Sequence, residues 1–259
     1  MSLTAPGQGD DQLRYLGAGE VLIFGAHDME GLDRRDISPV ADELAQLSGR
    51  LAAAGWPIHI HAILDSSVST VLAGWRKTVK RTDLSELRFT ITHADQVGEA
   101  NLRRIRDLGL GLTVQNGMAF RSGDSVPTWG EEQARHAPPL RTMLDMGIPL
   151  GAGTDGTVVS SPNPWRCIAW MVTGHPLDGS EPRVPEQRLT VEEALRLYTS
   201  GSAWFSFEEE SRGNLRPGSH ADLVVLSEDP LTVSEHRLGE ITSALTMVGG
   251  AILHSDLDL

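Results

Sequence analysis

The 259-residue chain is 40% hydrophobic and 22% charged, and it carries a formal net charge of −13. This size and composition fit one large globular domain, or a domain with a small appendage, while the negative charge without an offsetting basic cluster argues against nucleic acid or an anionic membrane as a partner. The single cysteine, Cys167, cannot form an internal disulfide, and no run of about 18 apolar residues is present, so we expect a cytoplasmic protein.

The first two thirds of the chain alternate between strand-like and helix-like segments. Strand patterns occupy residues 20–24, 57–63, 88–93, 110–115 and 148–153, and helix patterns occupy 39–54, 67–80, 98–108 and 138–146. Gly55, Gly109 and Gly147 follow three of the helices as stop signals. The alternation predicts an α/β fold with a parallel sheet that is buried on both faces.

The pattern changes near residue 190. Thr190 is predicted to cap a helix over residues 191–200. Short β runs follow at 223–226, 241–248 and 251–253, and Gly249–Gly250 separates the last two. These runs predict a small β appendage at the end of the chain.

Three of the strand-like runs end on a residue that can bind a metal ion. These residues are His61, His93 and Asp155. Catalytic groups lie at the carboxyl ends of the strands in a parallel α/β barrel, and imidazole and carboxylate ligands are typical of hydrolytic metal sites. Simpler readings stay open, since a buried histidine can bond to the backbone and Asp155 can cap a following helix.

Further polar residues lie near these strand ends. Asp65 is predicted either to orient a ligand histidine or to cap a helix, and Gln115 and Asn116 end the next strand, where they can face a substrate. Trp165 is read either as part of a substrate wall or as a packing residue. His59 points away from His61 by strand alternation, which favours a structural role.

Only about five barrel-type strands are predicted, whereas a closed (β/α)8 barrel has eight. We therefore expect part of a barrel. The spacing from His61 to Asp155 places His61 in the middle of such a barrel and not at its first strand.

Five segments, in this order, resemble the amidohydrolase superfamily. They are His61–Asp65, Thr92–Asp95, Val114–Asn116, Gly151–Asp155 with Asn163–Trp165, and Gly218–Leu226. The closest branch is amidohydrolase family 3, which contains the N-substituted formamide deformylases. The resemblance implies the C-terminal half of such an enzyme, with about strands 4 to 8 of a (β/α)8 barrel in residues 1–205 and strands of a β-sandwich in residues 206–259.

The resemblance also implies metal-dependent hydrolysis of an amide or another C–N bond. His61, His93 and Asp155 match the ligands of Zn²⁺ or another divalent metal, and Asp155 matches the base that takes a proton from water and passes it to the leaving amine. The His-x-His of the family's first strand and the lysine of its fourth have no counterpart here. We therefore expect low metal occupancy.

Two other interpretations are kept beside this one. In the first, the chain is a catalytically silent fragment that acts only as a folded or interacting module. The second, a barrel that binds a sugar phosphate or a cofactor, is disfavoured because no glycine-rich loop precedes a helix. Expected partners are a small-molecule substrate and, because a half barrel leaves strand edges and apolar faces uncovered, a second copy or the missing N-terminal half.

Overall fold

The computed structural model describes residues 4–10, 13–24, 28, 40–78, 83–115, 117–156 and 160–257. They fall into two compact units, Met1–Val114 with Asp124–Leu150 and Gln115–Gly123 with Gly151–Leu259. The domain boundary after residue 205, which the sequence suggested, stays a prediction. None of the helices in the described ranges is both long enough and apolar enough to cross a membrane, and the cytoplasmic location also stays a prediction.

The helices and strands follow the predicted alternation. In chain order they are α1 (Ala41–Ala53), β1 (His59–Leu64), α2 (Asp65–Thr78), β2 (Thr90–Gln96), α3 (Glu99–Asp107), β3 (Gly111–Gln115), α4 (Gly117–Trp129), α5 (Glu131–His136), α6 (Leu140–Asp145), β4 (Leu150–Gly153), α7 (Pro164–Thr173), α8 (Val191–Arg196), α9 (Ser202–Phe205), β5 (Leu223–Leu226), β6 (Ser243–Val248) and β7 (Ala251–Ser255). Short 3₁₀ helices span Pro185–Gln187 and Glu235–Glu240, and a π-helical turn spans Leu197–Gly201.

A parallel sheet forms the centre of the first unit. β1 pairs in parallel with β2, and β2 pairs in parallel with β3. The start of β4 continues this order, because the backbone N–H of Leu112 donates to the carbonyl of Pro149 at 2.9 Å. Nearly every residue of β1 and β2 is buried. The predicted α/β class with a buried parallel sheet is thereby confirmed, whereas closure into a barrel stays a prediction.

The strand predicted at residues 20–24 does not form. Residues 18–20 run beside β1 instead. Ala18 pairs in parallel with Ile58, and the N–H of His61 donates to the carbonyl of Glu20 at 3.2 Å. Gly19 permits this approach, since a Cβ there would lie 1.8 Å from the carbonyl oxygen of His59. Phe24, one of the apolar residues that suggested a strand, is 81% exposed.

The loop predicted around Pro127 is largely helical. α4 consists of two helical pieces that meet at Arg121, where φ is −150° and ψ is 41°. The N–H of Gly123 at the start of the second piece donates to the carboxylate of Asp178 at 2.9 Å. This side-chain acceptor satisfies a donor that a helix end leaves open.

The second unit contains the predicted helix and the predicted β runs. Thr190 caps α8, and its hydroxyl and the side chain of Glu193 form a capping box. β5, β6 and β7 form an antiparallel sheet in chain order. A second sheet that would make this a sandwich stays a prediction.

Candidate metal centre

Glu20, His61 and His93 form a cluster on β1, β2 and the segment beside β1, and both strands continue past their histidines, to Leu64 and Gln96. The Nδ1 atom of His61 lies 3.7 Å from Oε1 of Glu20, and the Nε2 atom of His93 lies 3.5 Å from Oε2 of the same carboxylate. The two imidazole rings meet edge to face, with 4.4 Å between their centroids. Both histidines are buried, whereas the side chain of Glu20 is 43% exposed. Solvent therefore reaches the cluster from the side of Glu20.

An irregularity in β2 brings the two histidines onto one face. His61 pairs with Thr92, and Ala62 pairs with His93, so regular alternation would place the imidazoles on opposite faces. From Ala62 to Leu64 β1 advances by two residues, while its partner positions on β2 advance by three, from His93 to Gln96. This extra residue is a β-bulge, and His93 there has a positive φ of 77°. The bulge turns the side chain of His93 toward His61.

Asp28 holds the buried end of β1. Its carboxylate accepts hydrogen bonds from the backbone N–H groups of Ile63, at 2.9 Å, and Leu64, also at 2.9 Å. The Nε2 atom of His61 lies 2.5 Å from the backbone oxygen of Asp28 and 3.1 Å from its Oδ1. In the neutral ring, with the Nε2–H donating to Asp28, the lone pair would be on Nδ1, the atom nearest Glu20.

The side chains of His61, Glu20 and Asp28 stabilise one another's charged forms. Burial disfavours a charged imidazole, but the hydrogen bond to Asp28 and the nearby carboxylate of Glu20 outweigh it and raise the pKa of His61 to about 9. The neighbouring imidazoles of His61 and His93 hold the pKa of Glu20 well below its ordinary value. Burial opposes ionisation of Asp28, yet the hydrogen bond from His61, followed by those from Ser67 and the β1 backbone, lowers the pKa of Asp28.

The donor set fits a divalent cation such as Zn²⁺. Two imidazoles and one carboxylate make a three-ligand set of the kind found in hydrolytic zinc sites. Each such ligand atom lies about 2.0–2.2 Å from zinc, so two of them can be no more than about 4.4 Å apart. Oε1 of Glu20 to Nδ1 of His61, 3.7 Å, and Oε2 of Glu20 to Nε2 of His93, 3.5 Å, satisfy this limit, and one ligand atom from each of the three residues lies within 4.8 Å of the others. Asp28 behind His61 supplies the outer carboxylate that commonly orients a ligand histidine.

Comparison with known proteins identifies the family. Residues 4–254 match the model of the amidohydrolase family. The chain belongs to the amidohydrolase family. It is 28% identical over 216 residues to an N-substituted formamide deformylase of Arthrobacter pascens, a match that covers 81% of this chain and 39% of that protein. It is 26% identical over 219 residues to the putative amidohydrolase YtcJ of Bacillus subtilis (strain 168), with 82% of this chain and 40% of that protein covered.

Solved structures show the same relation. A metal-dependent hydrolase from Pyrococcus furiosus aligns with a TM-score of 0.63 and 30% identity, over 74% of this chain and 38% of that one. An atrazine chlorohydrolase variant from Arthrobacter aurescens TC1, complexed with zinc and atraton, shares the fold with a TM-score of 0.57 and 20% identity, over 85% of this chain and 48% of that one. The chain spans about two fifths of the length of the curated relatives it matches.

The predicted ligands belong to different units of the chain. His61 and His93 lie together in the first unit. Asp155 belongs to the second unit, where it follows β4 with a positive φ of 52°. The next described helix, α7, begins with Asn163 as its N-cap, so Asp155 does not cap it. The shared metal site of all three residues, and the role of Asp155 as a base, stay predictions.

The other predicted site residues lie outside the cluster of Glu20, His61 and His93. Gln115 is the last residue of β3, and Asn116 lies outside the described residues. Trp165 is 8% exposed in the first turn of α7. His59 does not belong to the cluster, and burial lowers its pKa. The substrate contacts of Gln115, Asn116 and Trp165 stay predictions.

Asp65 bonds to the segment after β2. Its Oδ1 accepts hydrogen bonds from the backbone N–H of Gly98 at 2.7 Å and from Nδ2 of Asn101 at 2.8 Å, so it fixes the start of α3. The carboxylates beside His61 are those of Asp28 and Glu20, not that of Asp65. A role of Asp65 in orienting a ligand histidine therefore stays a prediction without support from these contacts.

Glu20 and Asp28 were not predicted as site residues. The sequence does carry one usable signal for Glu20, since it is an acidic residue at the head of an apolar run that precedes the His61 strand. Asp28 lies in a stretch without periodicity, and no local pattern marks it.

Zinc uptake by this chain should depend strongly on pH. A ligand imidazole must be neutral, and His61 with a pKa of about 9 is protonated at pH 7. Affinity should rise with pH and level off near pH 9, with about one proton released per zinc at pH 7.5. Calorimetry in two buffers of different ionisation enthalpy measures that proton. A pH-independent affinity between 6.5 and 9 would contradict the charged state of His61.

Proposed function

We propose that this chain provides the metal-binding part of an active site that hydrolyses an amide or another C–N bond. The observation that carries the proposal is the Glu20–His61–His93 cluster, backed by Asp28, in a chain of the amidohydrolase family. The relative from Arthrobacter pascens is by name an N-substituted formamide deformylase. We therefore propose an N-substituted linear amide as the substrate class.

Glu20, His61 and His93 would hold the metal, and the donor set favours zinc. A bound divalent cation would supply Lewis acidity, which polarises a carbonyl and makes a water molecule more acidic. The carboxylate of Asp28, held by the N–H groups of Ile63 and Leu64, would keep the ring of His61 in one orientation and one tautomer.

Asp155 would act as the proton carrier. An ionised carboxylate can accept a proton from the attacking water and deliver it to the nitrogen of the leaving amine. The end of β4 that precedes it is held firmly, because the hydroxyl of Ser202 donates to the carbonyl of Ala152 at 2.9 Å and the hydroxyl of Tyr198 donates to that of Gly153 at 3.3 Å. Gln115 and Asn116 would contact the substrate from the end of β3.

The remaining part of the site would come from a second polypeptide, either another copy or an N-terminal half. The chain covers 39% of the deformylase, and Phe24, Val224 and Leu253 are 81%, 53% and 68% exposed. Apolar surface of this kind is typical of a surface that a partner covers.

Light scattering should therefore show self-association at tens of micromolar. Replacing both Val224 and Leu253 by Thr should reduce it, because the substitutions remove exposed apolar area and leave the core unchanged. The matched control is Leu215→Thr, at another leucine that is 81% exposed. A compact monomer over this concentration range would contradict the proposed association.

Turnover tests the function itself. The chain alone, and a fusion in which the unmatched part of the deformylase precedes it, would be assayed with zinc against N-formyl and N-acyl amines. We expect no turnover by the chain alone. In the fusion, Asp155→Asn should lower kcat by roughly 10²-fold or more, the scale of general acid–base catalysis, whereas Asp124→Asn, at an exposed site, should not.

Two outcomes would count against this scheme. Asp155-dependent turnover by the chain alone would show that its own residues complete the site. An inactive fusion that folds and binds zinc would favour the alternative of a catalytically silent module.

A further inference from the structure

Aspartate followed by glycine occurs twice in the chain, at Asp155–Gly156 and at Asp178–Gly179. Such a dipeptide can rearrange without an enzyme, because glycine has no Cβ to hinder its backbone nitrogen from approaching the carboxyl group of the residue before it. Both aspartates are exposed, and both dipeptides belong to the second unit. They differ in the contacts that hold them.

The carboxylate of Asp155 is not held in place by its neighbours. Asp155 lies two residues beyond the end of β4, and its side chain makes no hydrogen bond or ion pair within the described ranges. Its backbone has a φ of 52°, in the left-handed region that is disfavoured for residues with a side chain. A rearrangement that changes the backbone at this residue therefore relieves strain.

The backbone nitrogen of Gly156 is held only weakly. Its N–H donates to Oγ1 of Thr154 at 3.3 Å, which is longer than the usual range of about 2.7–3.2 Å. A side chain cannot be added at this position without a shift, because a Cβ would lie 2.8 Å from Cα of Pro162. The fold therefore requires a glycine at the position that makes the dipeptide reactive.

The carboxylate of Asp178 is held through both oxygens. Its Oδ1 accepts from the backbone N–H of Ser180 at 2.9 Å and from the hydroxyl of Ser180 at 2.6 Å, and its Oδ2 accepts from the N–H of Gly123 at 2.9 Å. Burial opposes ionisation, yet these hydrogen bonds lower the pKa of Asp178. The nitrogen of Gly179 can attack only after the carboxyl group has turned away from these donors.

We propose that Asp155–Gly156 is a site of spontaneous isomerisation to isoaspartate, whereas the fold protects Asp178–Gly179. In the first step the nitrogen of Gly156 forms a bond to Cγ of the neutral carboxyl group of Asp155. The bond from Cγ to the hydroxyl oxygen breaks, and this hydroxyl leaves as water with the proton of the N–H. The product is a cyclic imide, a succinimide.

Water opens the succinimide in the second step. It adds to one of the two ring carbonyls, whose bond to the nitrogen then breaks, and the nitrogen regains a proton. Opening at Cγ restores aspartate, whereas opening at the backbone carbonyl leaves isoaspartate, in which the chain continues through Cβ and Cγ. One water molecule is lost and one is gained, so no oxidant, reductant or other reactant is needed.

Isoaspartate would move the carboxylate, because the backbone becomes longer by one methylene and the side chain shorter by one. Where Asp155 serves as the proposed proton carrier, the change would remove the carboxylate from its place. The proposal itself does not rest on the proposed hydrolysis, since the rearrangement needs only Asp155, Gly156 and water.

Incubation of the chain in water labelled with heavy oxygen, at neutral pH and physiological temperature, tests the proposal. Each opening of a succinimide places one solvent oxygen in the product. Trypsin digestion in ordinary water then separates the two sites, since Arg166 lies between them, and mass spectrometry measures the label in each peptide. The label should accumulate at least about tenfold faster at Asp155 than at Asp178, because three hydrogen bonds oppose the reaction at Asp178.

The same incubation in guanidinium chloride supplies the unfolded reference. The hydrogen bonds of Asp178 are then broken, so both dipeptides should take up the label at similar rates. In the folded chain, Ser180→Ala removes one donor to Asp178 and should raise the uptake there several-fold, while the uptake at Asp155 stays unchanged.

Asp155→Glu confirms which residue takes up the label. Its longer side chain would have to form a larger, less favourable ring, so the uptake should be lost. The variant is needed because the peptide between Arg141 and Arg166 also contains Asp145. Asp155 is exposed, so the substitution leaves the core unchanged.

Three results would overturn the proposal. The first is uptake in the folded chain that is no faster at Asp155 than at Asp178. The second is a ratio that persists in guanidinium chloride, which would assign the difference to neighbouring sequence and not to the fold. The third is label that remains in the Asp155→Glu peptide, which would place the reaction at Asp145.

Discussion

Zinc affinity is expected to fall by on the order of 10²-fold or more when Glu20 is replaced by Gln. The variant keeps the size of the side chain but removes the negative charge that lies 3.5 Å from His93 and 3.7 Å from His61. Loss of a group that only supports a ligand already costs about 10- to 100-fold in metal affinity, and in the proposed centre Glu20 would contact the metal itself. Competition with a chromogenic chelator at pH 8 measures the change.

Glu43→Gln is the matched control, because Glu43 is an exposed residue of α1 in the same unit and the substitution changes the net charge equally. Its zinc affinity should equal that of the parent chain. If the two variants bind zinc with the same affinity, Glu20 is not a ligand and the proposed centre is wrong. If only Glu20→Gln binds zinc weakly, the carboxylate beside the two histidines is part of the site.

The free energy of unfolding is expected to fall by about 3–5 kcal/mol when Asp28 is replaced by Asn, the range for breaking a buried charged pair by removing one partner. Asp28 is fully buried, and its two oxygens accept from Ile63, Leu64 and His61. An amide presents an NH₂ group where one of these donors needs an acceptor, and it leaves the charge of His61 with less compensation. Urea unfolding at pH 7 measures the loss.

The same variant should change the pH dependence of unfolding. The lowered pKa of Asp28 means that its contribution is present above the unfolded value of about 3.9 and is lost as pH falls through the folded value. Asp28→Asn should flatten this acid limb. Asp124→Asn, at an exposed helical site, is the control and should change the unfolding free energy by less than about 0.5 kcal/mol. Equal stability of both variants would show that Asp28 does not hold β1.

Local patterns in the sequence determine most of the elements. The apolar runs that became β1 and β2, the glycine that ends α1 and the Thr190 cap of α8 are all signals within a few residues, and each element formed near its predicted position. The same runs place His61 and His93 in neighbouring parallel strands, although both strands extend beyond the predicted ends, to Leu64 and Gln96.

The composition of the metal cluster depends on contacts that no local pattern encodes. Strand alternation and the observed register would place His61 and His93 on opposite faces, and only the bulge in β2, with its positive φ at His93, brings them together. Asp28 reaches His61 from 33 residues away in the chain, and Glu20 reaches both histidines because Gly19 lets its segment approach β1. Periodicity predicts which side chains a regular strand presents, whereas a bulge and the path of an irregular segment are decided by tertiary packing.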